Sequence, residues 1–198
     1  MEPDHALGRA GPTLTDDELT QLRNAPRQQG TLELIVRRPS PGTREVLLQG
    51  MLTTTAGLAG DGWASRPSRR TPDGAPHIDM QLNIMGVRAA SILAGPSSSW
   101  PMAGDQLFVD FDLSEAHLPA GTLLSIGAAT VVVTTQPHTG CPKFSARFGA
   151  DALRAVSSPV GRQLRLRGLC ARVLRPGLVR VGDPVHIAEP SPADQAGD

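Results

Sequence analysis

Tyrosine is absent, aromatic residues make up only 3% of the chain, and lysine occurs once. With so few rings there is no stacking platform for single-stranded nucleic acid. Lysine plus arginine (19) balances aspartate plus glutamate (19), so no charge excess points to nucleic acid or to an acidic solvating tail. Two cysteines are too few for a disulfide scaffold. Reduced thiols and a cytoplasmic location are therefore expected, with a Cys141–Cys170 pairing left open by the count. No apolar run approaches the roughly 20 residues that span a bilayer. Met1-Glu2-Pro3-Asp4 lacks the basic and apolar regions of a secretory signal, and no membrane partner is expected. There is no G-x-G-x-x-G, G-x-S-x-G, H-E-x-x-H or paired-carboxylate signature, and ligand-type residues are too scattered for structural zinc.

What is abundant is turn-forming: 21 glycines and 18 prolines, spread along the chain. Thr15-Asp16-Asp17-Glu18 reads as a capping box opening a short helix that Pro26 stops. Strands are expected at 31–38, 80–85, 106–111, 121–126 and 129–135, with 44–48 as the hairpin partner of the first. Short helices are expected at 87–93 and, broken at Gly149, at 144–156. Leu164, Leu166, Val173, Val179, Val181, Val185 and Ile187 read as C-terminal hairpins. The polar stretch from Ser65 to Pro76 is a long loop of the kind that is often functional. These features predict a mostly β fold, a barrel or twisted sheet with a few short helices. They divide the chain into an N-terminal extension (1–30), one domain (31–188) and a flexible tail (189–198).

Chemistry concentrates in Pro137-His138-Thr139-Gly140-Cys141-Pro142-Lys143-Phe144, where the one lysine sits two residues from a cysteine in a chain with eighteen arginines. A strand end beside a Gly/Pro turn exposes Cys141, and Lys143 and Arg147 add the positive charge that favours a thiolate. His138 and Cys141 in H-x-x-C spacing read either as a metal-ligand pair or as a thiol with its base. A small buried cysteine beside a solvated lysine is the plain alternative, and Cys170, inside an apolar run, reads as core. Arg66, Arg69, Arg70 and Arg88 are candidate phosphate ligands through paired donors. Asp61 is a turn residue able to orient an arginine or a ligand amine, and Asn83 lies close by in sequence.

The same segment, continued through Ala146-Arg147-Phe148-Gly149, Gly161-Arg162, Leu164-Arg165-Leu166-Arg167-Gly168 and Val181-Gly182-Asp183-Pro184-Val185, resembles the MOSC family, named for the C-terminal domain of molybdenum cofactor sulfurase. Ile35-Val36-Arg37-Arg38-Pro39, Gly57-Leu58-Ala59-Gly60-Asp61 and Gly104-Asp105 fit the same pattern, so the resemblance covers about residues 31–188 and is to the stand-alone bacterial type. It implies a MOSC-type β-barrel with a cysteine at a pocket. By position Cys141 is that cysteine: a carrier of sulfur as a persulfide, or the ligand of molybdenum in a pterin cofactor in enzymes that reduce N-hydroxylated compounds. The family association also extends to pyridoxal phosphate, for which Lys143 is the one internal amine. A sulfur-donor desulfurase or an electron-donor protein is implied as partner, since the sequence holds neither an aminotransferase-like segment nor an iron–sulfur cysteine cluster. The alternative is a non-catalytic module that binds a small molecule or a protein, with Cys141 structural.

Overall fold

A computed structural model describes residue 11 and residues 13–190; the expected tail from 191 onward and most of residues 1–12 lie outside it. Helix α1 (Asp16–Arg23) starts at the expected capping box, with Thr15 accepting from the Glu18 N–H and the Glu18 side chain reaching back to the Thr15 N–H. The strands are β1 (Gly30–Arg37), β2 (Glu45–Leu47), β3 (Gln49–Thr53), β4 (Gly57–Leu58), β5 (Leu82–Gly86), β6 (Leu107–Asp110), β7 (Leu123–Ile126), β8 (Ala129–Val133), β9 (Leu169–Arg175), β10 (Gly177–Arg180) and β11 (Pro184–Ile187). Helices α2 (Val87–Ala94), α3 (Pro142–Ser157) and α4 (Pro159–Gln163) interrupt them.

Seven strands close a barrel in the order β11-β7-β8-β9-β5-β6-β1, with β1 returning to β11 and β2 flanking β1. Among the described residues only β5 and β6 run parallel; Ile84 faces Leu107 there. A parallel neighbour requires a crossover, and α2 followed by a 3-10 helix at Ser97–Ala103 supplies it. That crossover ends on Gly104-Asp105, immediately before β6. Strands β3, β4 and β10 form a separate three-stranded sheet.

Alternation on the strands builds two cores. Leu107 and Val109 of β6 and Leu82 and Ile84 of β5 point into the barrel. Phe108, between the first two, and Met85, next to Ile84, point outward beneath α2 and α3, where Leu93, Phe144 and Phe148 cover them. The break in α3 falls at Gly149, whose φ of 87° and ψ of 165° are not helical. Of the expected face of Phe144, Phe148, Leu153 and Val156, which spans the break, Leu153 is half-buried and the other three are buried.

Two expectations need correction. Leu164 and Leu166 are not in a hairpin: α4 ends at Gln163, Arg165 turns at a φ of 45° and Gly168 at 92°, and β9 begins only at Leu169. The strand expected from Met80 begins at Leu82, because Ile78–Met80 is a 3-10 turn. Gly168 is required where it stands: a Cβ there would lie 2.2 Å from the Ile84 carbonyl oxygen.

Phe108 is fully buried and its ring stacks 6.0 Å from Trp100 of the crossover. Phe108→Ala is expected to cost about 3–5 kcal/mol, the range for emptying a buried aromatic site. Urea unfolding checks it; a cost under about 1 kcal/mol would mean that the outer core is not packed as described.

Candidate functional site

The C-terminal end of the crossover's 3-10 helix leaves backbone carbonyls short of helical partners; Pro101 keeps one, the Gly104 N–H at 3.3 Å. Four successive carbonyls each accept from a different arginine. Arg44 Nε donates to Pro101 at 3.1 Å, Arg147 Nη1 to Met102 at 2.7 Å, Arg167 Nη2 to Ala103 at 2.9 Å and Arg38 Nη1 to Gly104 at 2.5 Å. A guanidinium has five N–H donors in a rigid fork, so one side chain can serve a carbonyl and still pair with a carboxylate.

Two of the four do so. Arg38 grips Asp61 by two parallel bonds, Nε to Oδ2 and Nη2 to Oδ1, both 2.9 Å, while the Arg38 and Trp63 N–H groups also donate to that carboxylate. Arg167 Nη1 donates to Asp105 Oδ2 at 2.6 Å, and His138 Nε2 takes the other oxygen at 2.7 Å. The Asp61 and Asp105 side chains are fully buried, at 0% exposure. Burial raises the Asp105 pKa, but the charges and hydrogen bonds of Arg167 and His138 outweigh it and hold it at about 2. Burial also opposes Asp61 ionisation, and the Arg38 fork overcomes it, so this carboxyl too lies below 3.8. The Arg167 guanidinium lies 5.0 Å over the Phe144 ring, a cation–π contact that ties it to α3.

These residues wall a cleft of about 670 Å³. Six arginines (Arg38, Arg44, Arg66, Arg70, Arg147, Arg167) and Lys143 line it, with no aspartate or glutamate in the lining. The carboxylates that compensate some of this charge, Asp61 and Asp105, stand behind the wall. Arg44 is pushed below its ordinary pKa by burial and then by Arg147, Arg38 and Arg66, and Arg66 by burial and then by Arg38. The cations repel one another, and an anion in the cleft relieves that repulsion.

Cys141 lies on the same lining, exposed, as the N-cap of α3 in extended conformation with Pro142 as the first helical residue. Lys143 makes no hydrogen bond or ion pair among the described residues. Of the residues singled out by sequence, the cleft gathers Cys141, His138, Lys143, Arg66, Arg70, Arg147 and Asn83. Asp61 sits behind it and orients Arg38. Arg88 does not join them: it pairs with Asp110 and donates to the Gln21 carbonyl on the α1 flank. Arg69 is exposed and outside the lining. Sequence reasoning passed over Arg38, Arg44, Asp105 and Arg167. The Gly104-Asp105 turn was the available signal for Asp105; nothing in the spacing marks the three arginines. Cys170, on β9, points its thiol at Asn83 Oδ1 3.6 Å away, and burial, then Asp105, pushes that thiol up to about 12.

A closed seven-stranded barrel bearing a cysteine beside a cationic cleft is the arrangement that the resemblance to the MOSC family implies. Residues 91–186 match the sequence model of the MOSC domain. Solved structures agree on the fold. The YuaD protein from Bacillus subtilis is 17% identical, with a TM-score of 0.55, 82% of this chain and 98% of that one covered. YiiM from Escherichia coli is 20% identical, with a TM-score of 0.51, 81% of this chain and 71% of that one covered. YiiM from Geobacillus stearothermophilus is 16% identical at a TM-score of 0.52, with 81% and 75% covered. No curated protein sequence matches the chain. Among the described residues no helix is long and apolar enough to cross a membrane.

Two outcomes follow from this geometry. Asp105→Asn strands the Arg167 charge in the interior and is expected to cost roughly 3–5 kcal/mol by chemical denaturation. In the unchanged protein, the contribution of Asp105 is complete above the unfolded carboxylate pKa of 3.8 and is lost as pH falls towards about 2; it amounts to roughly 2 kcal/mol. The stability gap between the two proteins should therefore narrow by roughly 2 kcal/mol in acid, and a constant gap down to the acid limit would contradict the assignment. In thiol labelling, the native protein should react quickly at Cys141 alone, with Cys170 joining only on unfolding; equal rates would contradict the burial of Cys170.

Proposed function

We propose that the cleft binds a phosphorylated molybdenum–pterin cofactor and that Cys141 is the sulfur presented to its metal. The observation that carries this reading is a cleft lined by seven cations and no carboxylate, with an exposed cysteine in the lining. Its chemistry fits such a group on two counts. Guanidinium groups bind phosphate by paired donors, and a thiolate is a soft ligand of the kind such a metal takes.

When bound, the group supplies two-electron redox chemistry, of the kind used to reduce N-hydroxylated compounds. The chain's own residues do the rest. Arg44, Arg66, Arg70, Arg147 and Lys143 neutralise the phosphate. Arg38 and Arg167, locked by Asp61 and Asp105, keep the wall rigid. The break at Gly149 and the cap at Cys141 fix where the sulfur stands. Electrons come from a separate donor protein. Exposure of Cys141 favours a second reading, in which its sulfur carries a sulfane sulfur received from a desulfurase. In pyridoxal phosphate binding, Lys143 would be the amine, and the same cations would meet the phosphate.

Protein produced with molybdate tests these readings by metal analysis, pterin fluorescence and intact mass. The first reading expects molybdenum and pterin in the wild type and a loss of both in Cys141→Ser. The second expects a mass increment of one sulfur atom on Cys141 and no metal. A wild type with neither, and a Cys141 thiol no faster than a free one, would leave a binding module with a structural cysteine.

A further inference from the structure

His138 is placed with unusual definition for a side chain that the reading above does not use. An ionised carboxylate can only accept, so the 2.7 Å contact with Asp105 Oδ1 puts a proton on His138 Nε2. Arg167 pins the other Asp105 oxygen and so fixes the carboxylate that fixes the ring. The His138 side chain is only 9% exposed. Its Nδ1 accepts nothing among the described residues, yet unlike Arg167 Nε it is not sealed from solvent, and the ring lines the cleft. Burial, then the charge of Arg167, hold the imidazole below 6.5 against the pull of Asp105, and Arg38 pushes the same way. At neutral pH the ring is uncharged, with a lone pair at Nδ1. Every charged side chain in the lining donates; His138 is an acceptor held in place by two buried partners. Cations alone read the charge of an oxyanion, whereas a fixed acceptor also reads whether it carries a proton.

We propose that His138 Nδ1 selects a hydrogen-bearing phosphate, accepting a hydrogen bond from its P–O–H while the surrounding cations take its charge. Asp105 and Arg167 are positioning residues that hold the acceptor. This inference rests on reading the cleft as an oxyanion site and adds the form of oxyanion it prefers. Sulfate, of the same shape, would turn a lone pair towards a lone pair and leave Nδ1 buried without a partner, the arrangement that hydrogen-bonding sites reject most strongly.

Inorganic phosphate and inorganic sulfate are suitable probes, because at mildly alkaline pH both are dianions and only phosphate keeps a proton. Calorimetric titration of the full chain is expected to give phosphate an affinity at least about tenfold above sulfate, the discrimination expected of one unmet hydrogen bond. His138→Phe should bring the two affinities together while sulfate binding persists. His138→Gln, which keeps a donor for Asp105 and an acceptor oxygen, should restore part of the preference. Nitrogen-15 shifts should place the imidazole proton on Nε2. Equal binding of both anions by the wild type overturns the inference and leaves the oxyanion reading standing, even if neither variant folds. A preference that survives in folded His138→Phe also overturns it. If neither anion binds, both the inference and the reading of the cleft fall.

Discussion

The structure depends on the arginines that hold the segment from Pro101 to Asp105. A parallel strand pair in an otherwise antiparallel barrel forces a crossover, and the crossover ends in carbonyls that its own helix satisfies only in part, at Pro101. Arg38 and Arg44 from the β1–β2 connection, Arg147 from α3 and Arg167 from the turn before β9 each donate to one of them. The same contacts draw a set of guanidinium groups around one space. Structure and candidate site are thus one construction.

That construction has an electrostatic consequence. Each arginine brought in for its hydrogen bonds also brings a charge, and only Asp61 and Asp105 are buried against them. Lysine would not substitute. Its compact ammonium lacks the fork that lets Arg38 hold Asp61 and the Gly104 carbonyl together. The preference for arginine, which reads in the sequence as a compositional bias, has a structural use at these four positions. Removing one buried carboxylate would leave the repulsion among Arg38, Arg44 and Arg66 unrelieved.

Much of the barrel is written locally. The capping box at Thr15, the strand run of β1 and the α3 break at Gly149 are all short-range signals, and the structure follows each, with a bulge between Leu32 and Leu34 in β1. The small sheet of β3, β4 and β10 is not written locally: it joins Gln49 to Arg180, a pairing that no window of sequence contains. Leu164 and Leu166 mislead because an apolar residue at every second position describes a buried turn as well as a strand; the positive φ at Arg165 decides between them. The site divides the same way. Cys141, His138 and Lys143 are neighbours in sequence and in the cleft. Asp105 and Arg167 lie 62 residues apart, and their pairing emerges only when β6 and β9 are set on either side of β5. Arg88 resembles Arg66 in sequence, but α2 carries it to Asp110 on another flank.

The central claim is that the arginine-lined end of the barrel receives an anion beside Cys141. Hydrogen exchange with and without inorganic pyrophosphate tests it most directly. Protection is expected in the segments 66–70, 101–105 and 137–147, which line or support the cleft, with little change in β7 and β11. Protection confined to other surfaces, or none at saturating pyrophosphate, would contradict the account.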